Sequence, residues 1–266
     1  MVNLLAAAAI AVATPAAAHA SPPPSGPAMF EVHDADTTIY LFGTFHALDA
    51  DEHWLDHNVR SAFEQSNELV LETLLPEGPD AAQQISQTIR APSFTPSASF
   101  LATTKMAISA SQSQGMQVDN GADMVLRHIA EVEGKTVEGL ETLQLQLNMF
   151  NHLRAAPPVP RMAKAGQPID SRQMESLSQA MAEMQSAWKR GDQGVFVHML
   201  DQLDAASPDT YRMMFSERNA RWADWIAARL QTPGTVFVAV GAGHLAGRDS
   251  VLVRLAEKGI ESQRIY

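Results

Sequence analysis

The sequence predicts an α+β fold, a central β-sheet combined with a long helical insertion. Three observations predict it. Short, continuous apolar runs rich in β-branched and aromatic residues lie near both ends of the chain, at Thr38–Phe42, Glu68–Glu72 and Val236–Val240. Strands buried on both faces read this way. Between them, from about residue 80 to 230, the periodicity is helical. Finally, the first and last of these runs continue into the same signature, Gly43-Thr44-Phe45-His46 and Gly241-Ala242-Gly243-His244. A glycine closing a strand permits a sharp turn and close backbone approach. The histidine three residues on then stands at the strand tip, where open sheets carry ligands.

Residues 1–20 read as a secretory signal, with an apolar core from Leu4 to Val12 and a small-x-small pattern, Ala18-His19-Ala20, before Ser21. The segment is too short to span a bilayer, although Met1-Val2-Asn3 lacks the usual basic residue. Residues 21–28 are a proline-rich linker, so the domain runs from 29 to 266 and is expected outside the cytoplasm, periplasmic or secreted. Met29–Val32 and Thr38–Phe42 form a hairpin around His33-Asp34-Ala35-Asp36. A helix from about Leu55 to Gln65 puts Leu55, Val59 and Ala62 on one face. Glu68–Glu72 is the next strand, ended by Pro76–Pro79.

From Asp80 to about Val132 the pattern is helical, broken by Pro92 and Pro96. Thr136-Val137 is a short strand signal ending in Glu138-Gly139-Leu140-Glu141, and a helix follows through Leu143, Leu147 and Phe150. Pro157, Pro158 and Pro160 mark a loop. Met174, Leu177, Met181, Met184 and Trp188 then recur at helical spacing; the stripe reads as core-facing, with an adaptable binding face as the alternative. Gly191-Asp192 breaks that helix, and one further helix lies between Pro208 and Leu230. Strand Val236–Val240, a helix near Ser250–Lys258 and a strand Gln263–Tyr266 complete the chain.

The 266 residues contain no cysteine. Disulfides, a thiolate nucleophile and zinc–thiolate clusters are therefore excluded, and a chain of this size buries enough apolar surface without them. A net charge of −11 argues against nucleic-acid and anionic-membrane partners, which require basic patches. Beyond the signal, no apolar run reaches membrane length.

The two histidines, His46 and His244, suggest one composite site. Glu72 closes an apolar strand and projects at the same sheet edge as His46; a carboxylate buried there is costly unless it meets a cation or a proton. Glu138 and Glu141 flank another strand end, where one serves as ligand or base and the other caps the next helix. Two imidazoles with one or two carboxylates make an ordinary N/O site for a divalent metal. The remaining histidines lack such framing: His53 and His57, among Asp49, Asp51, Glu52 and Asp56, read as an exposed polar helix start. Arg218, in Glu217-Arg218-Asn219 beside Trp222 and Trp225, reads as a surface ion pair, or alternatively as a clamp for a substrate carboxylate or a site glutamate. There is no His-Glu-x-x-His helix, no Gly-x-Ser-x-Gly elbow, no P-loop and no dinucleotide-binding glycine fingerprint.

An ordered set of short matches gives these residues a context. Leu41-Phe42-Gly43-Thr44-Phe45-His46, Leu69-Val70-Leu71-Glu72, Gly121-Ala122-Asp123 with Leu126, Gly139-Leu140-Glu141-Thr142, Glu217-Arg218-Asn219 with Trp222, and Val238 to Leu245 occur in this order. In this set the chain resembles the TraB/PrgY/GumN family, in particular its GumN-like bacterial branch, from about residue 29 to the C-terminus. That family is similar to the Tiki metalloproteases and more remotely to ChaN-like and erythromycin-esterase-like proteins. The kinship implies a mixed sheet in a helical shell, and a site built from both Gly-x-x-His motifs and strand-end glutamates. Carried onto this chain, it makes His46, His244 and Glu72 metal ligands and gives Glu72, Glu141 and Arg218 catalytic or supporting roles. Glu138, Asp123 and Asn219 are secondary candidates. Some members have Glu-Ala-Asp where this chain has Glu72-Thr73-Leu74, so one acidic ligand is absent here.

The expectation is an exported hydrolase dependent on a divalent metal (Mn, Co or Zn), acting on a peptide or another small amide or ester. Two alternatives stand beside it: a metal-independent, esterase-like enzyme with histidine as base, and a non-catalytic ligand- or metal-binding accessory protein of the cell envelope.

Overall fold

The computed structural model describes residues 26–50, 53–74, 76, 112–152 and 171–266. The predicted signal, most of the linker, the breaks at Pro92 and Pro96 and the Pro157–Pro160 loop lie outside the described residues. Six strands, β1 (Met29–His33), β2 (Thr37–Thr44), β3 (Glu68–Thr73), β4 (Thr136–Glu141), β5 (Gly234–Gly241) and β6 (Gln263–Arg264), form one sheet in the order β4-β3-β5-β2-β1-β6. The four strands β4, β3, β5 and β2 are mutually parallel. β1 runs antiparallel to both of its neighbours. The sheet is therefore mixed, and the fold is α+β as the sequence predicts.

Among the described residues eight α-helices accompany it: α1 (His57–Gln65), α2 (Ala122–Glu133), α3 (Leu143–His152), α4 (Ser171–Lys189), α5 (Gly194–Ala206), α6 (Pro208–Tyr211), α7 (Glu217–Arg229) and α8 (Val251–Ala256). The central strands are buried on both faces because their runs are apolar at every position. On β5, Phe237 and Ala239 enter one core with Phe42, Phe63, Leu126 and Trp188. Val236, Val238 and Val240 enter the other with Ile39, Leu41, Trp222 and Leu255. Asp56 caps α1, its carboxylate accepting from the N–H groups of Asn58 at 2.9 Å and Val59 at 3.1 Å; this satisfies donors that the first turn leaves open. His53 and His57 beside it are exposed, as the polar reading of that segment requires.

The structure corrects the sequence reading in three places. Glu138 and Glu141 lie within β4 rather than flanking its end, because β3 supplies a parallel ladder that reaches Glu141. The last strand is confined to Gln263–Arg264. α5 falls in the expected helical region of about 80–230, where the sequence reading sets no bounds for it; just before it, Asp192 accepts from the Gly194 N–H at 2.9 Å. The helix expected between Pro208 and Leu230 is split by a π-helical stretch, Arg212–Ser216.

The methionine stripe on α4 serves two surfaces. Trp188 at its end is 2% exposed and donates its indole N–H to the Gly43 carbonyl at 2.7 Å. That bond ties α4 to the first Gly-x-x-His unit. Trp188→Phe removes it and leaves a buried carbonyl unpaired, so unfolding free energy falls by about 2–3 kcal/mol. A urea titration checks this; a loss under about 0.5 kcal/mol would show the bond to be dispensable.

Candidate active site

Because β2, β3, β4 and β5 are adjacent and parallel, their carboxyl ends share one sheet edge. Each delivers one residue there: His46 just past β2, Glu72 on β3, Glu141 on β4 and His244 just past β5. The two Gly-x-x-His units are neighbours, with Thr44 opposite Gly241 in the β2–β5 ladder. Gly241 is the point of convergence. A Cβ added there would lie 3.1 Å from Glu72 Oε1, 3.2 Å from His46 Nε2 and 3.7 Å from His244 Cδ2. Glycine is required because those three side chains occupy the space a larger residue would need.

Each imidazole is oriented by an oxygen on its Nδ1. For His244 the acceptor is Asn219 Oδ1 at 2.6 Å, and Asn219 Nδ2 donates in turn to the Asp249 carbonyl at 2.8 Å. This chain places the His244 proton on Nδ1 and a lone pair on Nε2. For His46 the partner is Asp123 Oδ2 at 3.3 Å. Asp123 reaches it because the α2 N-terminus abuts the strand end: Ala122 donates to the Phe45 carbonyl at 3.0 Å. Gly121 makes this approach possible, since a Cβ on it would fall 2.4 Å from the His46 carbonyl oxygen. Orientation of Nδ1 by an oxygen, leaving Nε2 for the site, is the usual support of a metal-binding histidine.

Arg218 lies at the centre. It is 4% exposed and donates to Glu72 Oε2 at 2.8 Å, to both Glu141 oxygens at 3.0 and 3.1 Å, and to His244 Nε2 at 3.2 Å. A fourth acceptor is the Met214 carbonyl at 3.3 Å, within the π-helical stretch. π turns often mark functional sites because they re-aim a carbonyl or side chain. The other Glu72 oxygen accepts from the Gly241 N–H at 2.7 Å. Arg218 also stacks over Trp222, 4.6 Å from its ring centroid.

These contacts set the charges. Burial acts to raise the Glu72 carboxyl, but the facing His244, Arg218 and His46, with the Gly241 N–H, outweigh it and lower the pKa to about 2. Burial depresses the His244 imidazole to about 3, so at neutral pH His244 is uncharged and Arg218 and His46 supply the positive charge facing Glu72. For His46 burial acts downward, yet the hydrogen bond and charge of Asp123 and the charge of Glu72 win and raise it to about 9. His46 is also the solvent-facing member, with 58% of its side chain accessible at the mouth of the cleft. The Arg218 guanidinium is held above its already high value, as Glu72 and Glu141 more than offset its burial.

The structure thus brings together His46, Glu72, His244, Arg218, Asp123 and Asn219. Glu141 stands behind them: its carboxylate is 1% exposed and is held by Arg218, by Arg221 Nη2 at 3.3 Å and by Trp222 Nε1 at 3.2 Å. It therefore anchors Arg218 and has no face on the cleft from which to act as base or ligand. Glu138 is exposed on β4 and apart from the cluster. The Met214 carbonyl was not foreseen; nothing in Arg212–Ser216 distinguishes a π turn from ordinary helix.

The group lines one end of a cleft of about 590 Å³. Among the described residues no three His, Asp or Glu side chains stand ready as a coordination shell. The donor types nonetheless fit a divalent cation: two imidazoles with oriented Nδ1 atoms flank a carboxylate. One displacement would be required, because the Arg218 Nη1 now occupies the His244 lone pair.

The sequence profile of the TraB/PrgY/gumN family matches residues 28–99 and 79–264. No curated protein and no solved structure matches the chain.

Proposed function

The chain belongs to the TraB/PrgY/gumN family, and from that premise we propose that it is a divalent-metal-dependent hydrolase of amide bonds, most simply a peptidase. The observation that carries the proposal is the delivery of two Nδ1-oriented imidazoles and a carboxylate to one point by three adjacent parallel strand ends. His46, Glu72 and His244 would hold the metal, Mn, Co or Zn. Bound there, it would acidify a water molecule and polarise the substrate carbonyl. Asp123 and Asn219 keep the imidazole Nε2 atoms on the cleft side, and Glu141 fixes Arg218. Arg218 in turn holds Glu72 ionised and presents positive charge to a developing oxyanion. At neutral pH a metal must displace a proton from His46, so metal affinity rises with pH up to about 9.

A second reading has one observation in its favour. The Arg218–His244 contact satisfies the site without any metal, and His46, deprotonated, could then take a proton from water directly. Residues 1–20 are proposed to direct export, with a mature terminus at Ser21; N-terminal sequencing of the exported protein checks it.

The test begins with chelator-treated protein, reconstituted anaerobically with each metal and incubated with a peptide library. One metal ion per chain and cleavage that chelation abolishes are expected. Glu72→Gln should lower kcat/KM by at least about 10³-fold, and Asp123→Ala should weaken metal binding by about 10–100-fold. Cleavage that survives chelation establishes the second reading. Absence of stoichiometric metal, with no change of affinity in His46→Ala, removes the first.

A further inference from the structure

Much of the lining of the cleft is methionine. Met116, Met149, Met181, Met184, Met199 and Met214 all line it, out of 13 methionines in the chain. They come from five separate segments: the turn before α2, α3, α4, α5 and the π-helical stretch. Met116 and Met149 are buried, while the other four are half-buried and face the cleft. Convergence of one residue type from five segments is not the by-product of one amphipathic helix. Methionine is unbranched and polarisable, so a wall made of it reshapes around different apolar groups at little cost. The wall is continuous with the site, since a Cβ on Gly243 would lie 3.3 Å from Phe215 and 3.8 Å from Met199 Cε.

The polar rim narrows the ligand further. Thr44, Thr73 and Asp123 line the same cleft, and Thr44 Oγ1, Thr73 Oγ1 and Asp123 Oδ1 are buried without a hydrogen-bond partner among the described residues. Oxygens of this kind favour a ligand that brings N–H groups over a hydrocarbon chain that brings none.

We propose that the methionine-walled arm is the specificity pocket for a peptide, taking an apolar side chain next to the bond that is cut. The pocket accepts straight, branched and aromatic side chains alike and rejects charged ones. This inference rests on the hydrolase reading for its chemistry, while the binding preference itself does not require turnover.

The experiment therefore has two arms. In the first, hexapeptides vary at one position next to the cleavage site among norleucine, Leu, Phe, Ala, Asp and Lys. Norleucine, Leu and Phe should give kcat/KM within about fivefold of one another and at least about 100-fold above Asp and Lys. In the second, reduced-amide analogues of the norleucine and Asp peptides, and an N-capped fatty amide without peptide groups, are titrated calorimetrically. The norleucine analogue should bind at least tenfold more tightly than either of the others. Met181→Gln/Met184→Gln, checked for an unchanged thermal midpoint, should reduce the norleucine preference to under threefold. If that pair disturbs the fold, Met199→Leu keeps the wall apolar but stiffer and should weaken Phe more than norleucine. Binding preference without cleavage upholds the pocket and overturns the hydrolase. Cleavage without side-chain preference does the reverse, and equal binding of the fatty amide overturns the peptide assignment.

Discussion

Arg218→Ala is expected to lower the unfolding free energy by about 3–5 kcal/mol, the usual loss when one partner of a buried ion pair is removed. The size follows from what remains. Glu141 is 1% and Glu72 14% exposed as side chains, so neither carboxylate recovers its hydration. Glu141 would keep Trp222 Nε1 and Arg221, but Arg221 is itself 47% exposed and gives a screened interaction. Arg218→Lys recovers little, because one ammonium cannot reach Glu72, Glu141 and His244 together. Urea unfolding of Arg218→Ala, Glu141→Gln and the double variant isolates the pair. A coupling energy under about 1 kcal/mol would mean that Arg218 serves Glu72 and His244 rather than holding the sheet edge together.

Metal-free protein should lose stability on both sides of neutrality, more steeply in acid. His244 titrates near 6.5 when unfolded and near 3 when folded. The unfolded chain binds its proton first, and stability falls as the pH drops through that window. From pH 7 to pH 4 this amounts to about 3 kcal/mol. Glu72 acts in the same direction further down, since its carboxyl moves from 4.5 to about 2; its contribution is complete above 4.5 and lost as pH falls through 2. His46 has the opposite sign. Raised from 6.5 to about 9, it stabilises the fold below 6.5, and this is lost as pH rises through 9. Its solvent access makes that alkaline limb shallow. Urea midpoints measured from pH 4 to pH 10 check the profile. His244→Gln, which retains a polar group for Asn219, should flatten the acid limb. An unchanged limb in that variant would assign the acid sensitivity to other groups.

How much of this was legible in the sequence differs by residue. The strands carrying His46, Glu72 and His244 were readable because both faces of β2, β3 and β5 are buried, which forces apolar residues at every position of Leu69–Leu71 and Val236–Val240. A histidine or glutamate at the end of such a run stands out. β4 is an edge strand with exposed Thr136, Glu138 and Gly139, and there the contrast vanishes; Glu138 and Glu141 could be separated only by the ladder to β3. Arg218 defeated local reading for a different reason. Its acceptors lie at positions 72, 141, 214 and 244, so in sequence it sits among Glu217 and Asn219 like any surface arginine. The methionine stripe on α4 was read as core, and Trp188 belongs there; Met181 and Met184 touch the core and line the cleft as well. Helical periodicity reports that a face is covered, without reporting whether by side chains or by a cavity.

The sheet order has a consequence for when this protein can act at all. β5 lies between β2 and β3, so the two earlier strands have no direct ladder and wait for residues 234–241 to join them. A nascent chain that has not yet released β5 possesses neither a continuous sheet nor a composite site. Closing the centre of the sheet pairs residues 37–44 with residues 234–241, a separation that makes it a slow and late event in folding. The composite site therefore forms only once residues 234–241 have joined the sheet. On the hydrolase reading proposed above, this order would keep the site unformed while the chain is still being made.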